Sequence, residues 1–578
     1  MNHVRKRLSA RLSGGVMGIA LLMSPVPAAL GQTPGPPPVP LGSPLSRDLG
    51  APALAPGFTP AQPKTPNLSR PAPGAAPAAP ADTDRRIPVR EIRVTGNTVF
   101  SNDELAQVTA PFVGRTVGMA DLEAARQALT LHYVNNGYIN SGALIPDQKV
   151  EDGVVRMTII EGELTEISIS GNGRLNASYV SDRLALGAGP PLNLNDLQGQ
   201  MQILLQGPFI KRINAQLGPG DRPGEARLLA EIEEGQRYTN NVAIDNDLSP
   251  SLGEVRGVYR GGVYNLTGRG DVLTGEASLG SGLAEAFVDY AVPLNPNDLT
   301  LDVFLRMTNT KVEEEPFDVL DIKGKSRTLA VRLSQPVLRT SDQQLVLAGG
   351  LDLRRTKSTL GGAPFSFSPG VPDDGEVSLS VLRFIQDWNT RSQSRVVAVR
   401  STFSLGIDAF GATTNSGDLP SGEFFAWLGQ LQYLQRFGDN DNELFARVDA
   451  QWTDDPLFGP EQFAVGGLYS VRGYRKNLLV RDKGYSATLE LRVPVLRDET
   501  GQTQFSLIPF FDTGGAWFND RNTPDQETVS SVGLGLRWQP DPKLRVEVHY
   551  GYALDDLDNQ GNDLQDDGVH FTLNAILD

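Results

Sequence analysis

The sequence predicts two small α+β domains, each of β-α-α-β-β order, followed by a transmembrane antiparallel β-barrel of sixteen strands. Three observations predict this. A unit of about 75 residues occurs twice between residues 87 and 235. From Gln236 to the end, helical periodicity gives way to period-two alternation. Residues 1–31 read as an export signal, which delivers the chain to a compartment where such a barrel inserts.

Composition narrows the function classes. The chain has 578 residues, no cysteine, 61 Gly and 41 Pro. The missing thiols exclude a disulfide scaffold, thiol catalysis and cysteine-based metal sites. A formal charge of −16 argues against a nucleic-acid partner, which needs a basic footprint. Residues 236–578 hold 47 acidic and 31 basic side chains, so the whole excess sits in the back part. The front 235 residues carry the remaining 21 of each sign. Beyond the N-terminus no uncharged apolar run approaches the ~20 residues of a spanning helix. A membrane barrel stays open, because its strands alternate and average out as hydrophilic.

Arg5, Lys6, Arg7 and Arg11 precede a short apolar core, Val16–Met23, and Ala29-Leu30-Gly31 offers small residues for cleavage. The core is too short for a membrane anchor. Residues 32–86 form a Pro/Ala-rich linker with 15 prolines between Pro34 and Pro80. Proline fixes φ and removes amide donors, so the tract is expected to be a semi-extended spacer.

The first unit, 87–162, opens on the alternating Val89–Val94 and turns at Gly96-Asn97. Ser101-Asn102-Asp103-Glu104 is a capping-box start for a short helix. Met119–Val134 is a second helix with Leu122, Ala125, Leu129 and Tyr133 on one face, stopped by Gly137. Strands Ser141–Ile145 and Val154–Ile160 follow. The second unit, 163–235, repeats the plan. Ile167–Ile169 runs into Gly171-Asn172, helices cover Ser178–Leu186 and Leu194–Leu205, and strands cover Ile210–Leu217 and Ala226–Glu233. This doubled order after an export signal resembles the POTRA domains of outer-membrane translocators. The resemblance implies a sheet edge that receives unfolded polypeptide as an added strand.

Residues 236–578 alternate apolar with small, polar or charged residues. Leu489, Leu491, Val493 and Val495 alternate with Glu490 and Arg492. Val546, Val548, Tyr550 and Tyr552 alternate with Glu547, His549 and Gly551. One face suits lipid and the other a wet lumen. Aromatics such as Trp538, Tyr550 and Tyr552 lie near strand ends, where a girdle forms. A soluble sandwich fits less well with strands this long. Sixteen strands of ~10 residues leave about half the segment for turns and loops; fourteen or eighteen satisfy the arithmetic nearly as well.

Phe463-Ala464-Val465-Gly466-Gly467-Leu468-Tyr469-Ser470-Val471-Arg472-Gly473-Tyr474 closely resembles the F-x-x-G-G-x-x-S-V-R-G-[YF] signature of two-partner secretion transporters, the haemolysin secretion/activation proteins. Phe510-Phe511-Asp512-Thr513-Gly514 matches the F-x-D-x-G motif of the wider POTRA-plus-barrel superfamily. Gly484-Tyr485 and Leu489–Val495 sit where the family has a Gly-aromatic turn and an L-E-x-R-x-P strand. The resemblance implies an outer loop folded into the lumen, with Val471, Arg472, Gly473 and Tyr474 at its tip and Gly466 and Gly467 shaping its path. Arg472 would grip Asp512, flanked by Phe510 and Gly514, with a planar bidentate fork that Lys cannot supply.

The resemblance further implies an outer-membrane translocator with periplasmic POTRA domains that exports, and in some members activates, a large secreted partner bearing an N-terminal secretion domain. Outer-membrane lipid surrounds the barrel. Barrel-assembly machinery and periplasmic chaperones attend its biogenesis. No cofactor, metal or catalytic constellation is expected. Alternatives are an outer-membrane assembly or insertion factor, and a passive porin. The family often carries an N-terminal plug helix, but residues 33–83 show no amphipathic helix to serve as one. The chain ends Ile576-Leu577-Asp578 rather than on the family's usual aromatic. Asp556–Asp567 partly mimics an EF-hand loop but carries Gln560 and Asp567 at two ligand positions, so a solvated acidic loop is expected. Gly324-Lys325-Ser326 lacks the upstream glycine of a phosphate loop. His549 and His570 are expected to line the lumen on adjacent strands.

Overall fold

The computed structural model describes residues 67–69 and 86–578, except 520–522, 524–526, 556–560, 562 and 578. The export signal, most of the linker and the Asp556–Gln560 stretch therefore lie outside the described residues.

A short strand, β1 (Asn67–Ser69), precedes the first domain, which runs β2 (Ile87–Val89), β3 (Glu91–Thr95), α1 (Asn102–Thr109), β4 (Arg115–Val117), α2 (Met119–Asn135), β5 (Gly142–Leu144) and β6 (Val154–Ile160). Ser101 Oγ accepts from the Glu104 amide and starts α1. The periodic face of α2, Leu122, Ala125, Leu129 and Tyr133, is buried against Val155, Met157 and Ile159 of the sheet. β6 lies in the middle, parallel to β3 and antiparallel to β5.

The second domain repeats this with β7 (Glu163–Ser170), α3 (Ala177–Ala185), α4 (Leu194–Gln206), β8 (Ile210–Pro219) and β9 (Glu225–Glu234). β9 is central, parallel to β7 and antiparallel to β8. Val180, Leu184, Leu197 and Met201 pack on Ile213, Leu228 and Ile232. The linker departs from a plain spacer at one place. Asn67–Ser69 forms strand β1, which pairs parallel with Asn214–Gln216 on the outer edge of β8. Asn67-Leu68-Ser69 interrupts the proline run, so its amides are free to join a ladder.

The repeat has a physical cause. A glutamate at the end of each domain's last strand, Glu161 just after β6 and Glu234 closing β9, clamps the turn that follows β3 or β7. Glu161 accepts from the amides of Thr98 and Val99, the Thr98 hydroxyl and the Tyr133 phenol. Glu234 accepts from the amides of Gly173, Arg174 and Leu175. Burial alone would raise both carboxyls, but these donors hold them below the ordinary 4.5. A depressed folded value adds stability above pH 4.5 that is lost as pH falls through it. Protection of the Gly173, Arg174 and Leu175 amides against hydrogen exchange is therefore expected to weaken below pH 4.5. Glu234→Gln should remove that step and cost about 1.5–3 kcal/mol of local stability. Unchanged protection in the variant at neutral pH contradicts the clamp.

The barrel closes with sixteen strands, from Tyr238–Asp245 to Val569–Leu577, each antiparallel to its neighbours. The first and last strands pair from Asn240 with Leu577 to Asp245 with Thr572. Outward residues form continuous apolar rows. Val303, Val331, Leu351, Leu382 and Leu405 are successive cross-strand partners, and so are Phe384, Phe403, Trp427 and Trp452. Val303, Val331, Leu382 and Leu405 are exposed, as lipid-facing residues of a membrane barrel are.

The second domain is seated on three successive turns of the barrel. The Asn176 amide donates to the Gly268 carbonyl at 2.9 Å. Arg183 lies 3.7 Å over the Tyr179 ring and donates to Asp298, which also accepts from Arg339 of the barrel. Gln206 donates to the Ser341 carbonyl at 2.8 Å. Burial pushes the Tyr179 phenol up to about 12.

Candidate functional site

Strand Asn442–Thr453 rises from a tight turn at the domain-bearing end of the barrel. The next wall strand is Lys483–Arg497. Between them, residues 454–482 fold back into the lumen. A short hairpin pairs Phe463–Val465 with Leu479–Arg481, and residues 466–478 form its tip. Phe463, Val465, Val471, Tyr474 and Leu479 pack on Leu428, Ala516 and Val529 of the wall. The loop is thus held by a dry contact as well as by charge.

Arg472 is the centre of the charged contact and is only 3% exposed. Its Nε and Nη2 donate to the two oxygens of Asp512 at 2.7 and 2.9 Å, a bidentate fork. Its own amide donates to Asp512 Oδ2 at 3.1 Å. Nη1 donates to Glu490 Oε1 at 2.8 Å, and Glu490 is shared with Arg492. The guanidinium carbon sits 3.6 Å from the centre of the Phe510 ring, which adds a cation–π contact. Period two along strand Thr503–Trp517 turns Phe510, Asp512 and Gly514 to the same inner face.

The small residues of the motif make room. Gly473 has φ +90°, and a Cβ there would meet the Gly551 carbonyl oxygen at 2.8 Å. Its amide donates to His570 Nε2 at 3.1 Å. A Cβ on Gly514 would lie 2.7 Å from Val465 and 3.0 Å from Val471, so the wall is hollowed where the loop presses on it. Gly466 and Gly467 form the bend into the tip. The Tyr474 hydroxyl donates to the Ser530 carbonyl at 2.8 Å and accepts from the Asp555 amide. Of the nine residues that the motifs single out, Val471, Arg472, Gly473, Tyr474, Phe510, Asp512 and Gly514 meet in this contact, and Gly466 and Gly467 bend the loop that carries it.

Motif reading did not assign three further members. Glu490 carries a signal, since it alternates in phase with Arg492 on a strand whose other face is apolar. His549 and His570, assigned only to a polar lining, are register partners on the last two strands. His570 receives the Gly473 amide, and His549 Nδ1 lies 3.4 Å from Arg472 Nη1. No sequence spacing connects them to residue 472; the successive pairing of the last wall strands, with the loop docked against them, does. Of the EF-hand-like stretch, Asp566 is bound bidentately by Arg475 at 2.8 Å to each oxygen, which places it in the loop's attachment.

Comparison with known proteins follows the same lines. The haemolysin secretion/activation proteins ShlB/FhaC/HecB match as a family over residues 224–538. The ShlB-type POTRA domain matches residues 87–162. The heme/hemopexin transporter protein HuxB of Haemophilus influenzae (strain 86-028NP) is 24% identical over 515 residues, 82% of this chain and 85% of that protein. The outer membrane transporter CdiB of Escherichia coli is 27% identical over 481 residues, 78% of this chain and 76% of its own length. The solved structure of CdiB from Escherichia coli superposes with a TM-score of 0.66 at 21% identity, covering 87% of this chain and 93% of that one.

Proposed function

We infer the working cycle from one premise: the chain belongs to the haemolysin secretion/activation family. It is an outer-membrane transporter that exports a partner protein by two-partner secretion, with its POTRA domains in the periplasm. The finer reading is that the inserted loop, locked through Arg472 to Asp512, holds the lumen in a resting state and swings aside as the unfolded partner passes. The buried bidentate fork carries that reading. A contact between an inserted loop and the barrel wall, centred on one buried ion pair that is either made or broken, is an element of the kind gating requires. Folding of the partner outside supplies the drive, so export proceeds without nucleotide. The partner, with its N-terminal secretion domain, is the cargo; outer-membrane lipid, barrel-assembly machinery and periplasmic chaperones serve the barrel itself.

The receiving edge is β8. In the first domain the edge strand β5 is three residues long, and its middle residue is already satisfied. The Ala143 amide donates to Thr130 Oγ1 and its carbonyl accepts from Arg126. β8 is ten residues long, and its edge already takes a strand, β1. Main-chain addition therefore has a long ladder in the second domain, where an arriving strand replaces the three-residue β1, and a capped one in the first.

The test uses purified chain in liposomes, without nucleotide, with the partner arrested during export. A photoreactive maleimide on Gln216→Cys is expected to cross-link the partner, and the same label on Leu144→Cys is not. Export with cross-links only at Leu144 overturns the choice of edge. No export without nucleotide overturns the drive.

A further inference from the structure

The inserted loop is held at its tip by Arg472, but its base carries a second ionic contact on a different part of the wall. Glu461 lies just before the hairpin and is 1% exposed. Its two oxygens accept from Nη1 and Nη2 of Arg383 at 3.0 and 2.9 Å. Arg383, on strand Glu376–Arg391, also donates from Nε to Asp352 Oδ2 at 3.0 Å. Arg354, on the neighbouring strand Gln343–Leu360, donates to the Pro460 carbonyl at 2.9 Å and lies 3.9 Å from Glu461. Gln451 ties both legs of the loop together, donating at 2.9 Å to the carbonyls of Glu461 and of Asp482.

The two contacts have opposite polarity. At the tip the loop supplies the arginine and the wall the carboxylate. At the base the loop supplies the carboxylate and the wall the arginine. The base contact falls on the strands bearing Asp352 and Arg383, and the tip contact on those bearing Glu490, Asp512, His549 and His570. Four wall strands separate the Arg383 strand from the Asp512 strand in the ring order. The loop therefore crosses the lumen pinned at both ends, and its polarity forbids either end from docking on the other's site.

We propose that Glu461 is a positioning residue, forming with Arg383 and Arg354 a second lock that holds the base of the loop across the lumen independently of Arg472. This rests on the transporter reading for its purpose, though not for its measurement. Release of the tip alone leaves the loop tethered at its base, so it swings rather than leaves. Release of both leaves it held by the apolar contact and by Arg475 and Lys476 at the tip.

The chain has no cysteine, so Tyr469→Cys, on the exposed part of the tip, reports loop position as the only thiol. Maleimide labelling and single-channel conductance are measured on the full chain, per folded barrel as judged by heat-modifiable mobility. Four proteins are compared: the reporter alone, with Glu461→Gln, with Arg472→Ala, and with both. Either change alone is expected to speed labelling modestly, and the pair to exceed the product of the two by about tenfold, the mark of two parallel restraints on one element. Arg383→Lys keeps the charge but loses the fork, and should behave as Glu461→Gln if Glu461→Gln folds poorly. If the double variant matches Arg472→Ala, or if Glu461→Gln lowers barrel yield with labelling per barrel unchanged, the second lock is refuted. If labelling follows the expectation but the chain exports no partner in liposomes, the transporter reading falls and the lock stands.

Discussion

Arg472→Ala is expected to reduce export to a small fraction of the native rate while the barrel remains inserted and heat-modifiable. The substitution strips two buried carboxylates of their main counter-charge. Asp512 is fully buried and Glu490 nearly so; Asp512 loses both side-chain donors and keeps only the residue-472 amide, while Glu490 is left with Arg492 alone. Breaking a buried pair by removing one partner costs about 3–5 kcal/mol, enough to free the tip from its seat while the base contact keeps the loop tethered. Arg472→Lys keeps the charge but cannot make the fork or lie flat on Phe510, so export should fall between the two. Secretion of the partner into medium, normalised to folded barrel, gives the comparison. Normal export by Arg472→Ala would remove the central role assigned to this side chain.

Gly514→Val is expected to have an effect of similar size by a different route. It leaves every charge in place and fills the hollow into which Val465 and Val471 press. The first added carbon already stands 2.7 Å from one and 3.0 Å from the other, and valine adds two more. The loop must lift from the wall, and lifting it draws Arg472 away from Asp512. Overpacking of this kind costs about 1–3 kcal/mol where neighbours can yield. Gly514→Ala should show a partial effect, since only the first carbon clashes. Export and Tyr469→Cys labelling should move together in this series. A Gly514→Val barrel with native labelling would mean that the loop does not rest on this surface.

These two substitutions also mark what could be read from sequence. Alternation fixed the barrel because inward and outward residues differ in chemistry on every strand, and the repeat fixed the domains because Glu161 and Glu234 each close a turn that needs its own glycine. The tip contact was legible because its residues sit in two short local patterns. Its remaining members were not. His549 and His570 reach Arg472 and Gly473 only because the strands from Thr503–Trp517 to Val569–Leu577 pair in succession and turn them onto the inner face beside Asp512, a relation no local window contains. Glu461 and Arg383 are 78 residues apart with no pattern between them. Strand β1 was also hidden, because a three-residue gap in a proline run carries little periodicity. It becomes a strand only against an edge that needs a partner.

Asp298 accepts from Arg183 of the second domain and from Arg339 of the barrel. The socket around it draws on Gly268, Asp298 and Ser341, which lie on three turns separated by long strands. None of these turns can present its group until the strands on either side have paired. Residues 163–235 are made first but have nothing to dock on until wall strands through residue 360 are in register. The order of synthesis and the order of assembly are thus opposed. The docked orientation of the domain requires nearly half the wall to be paired.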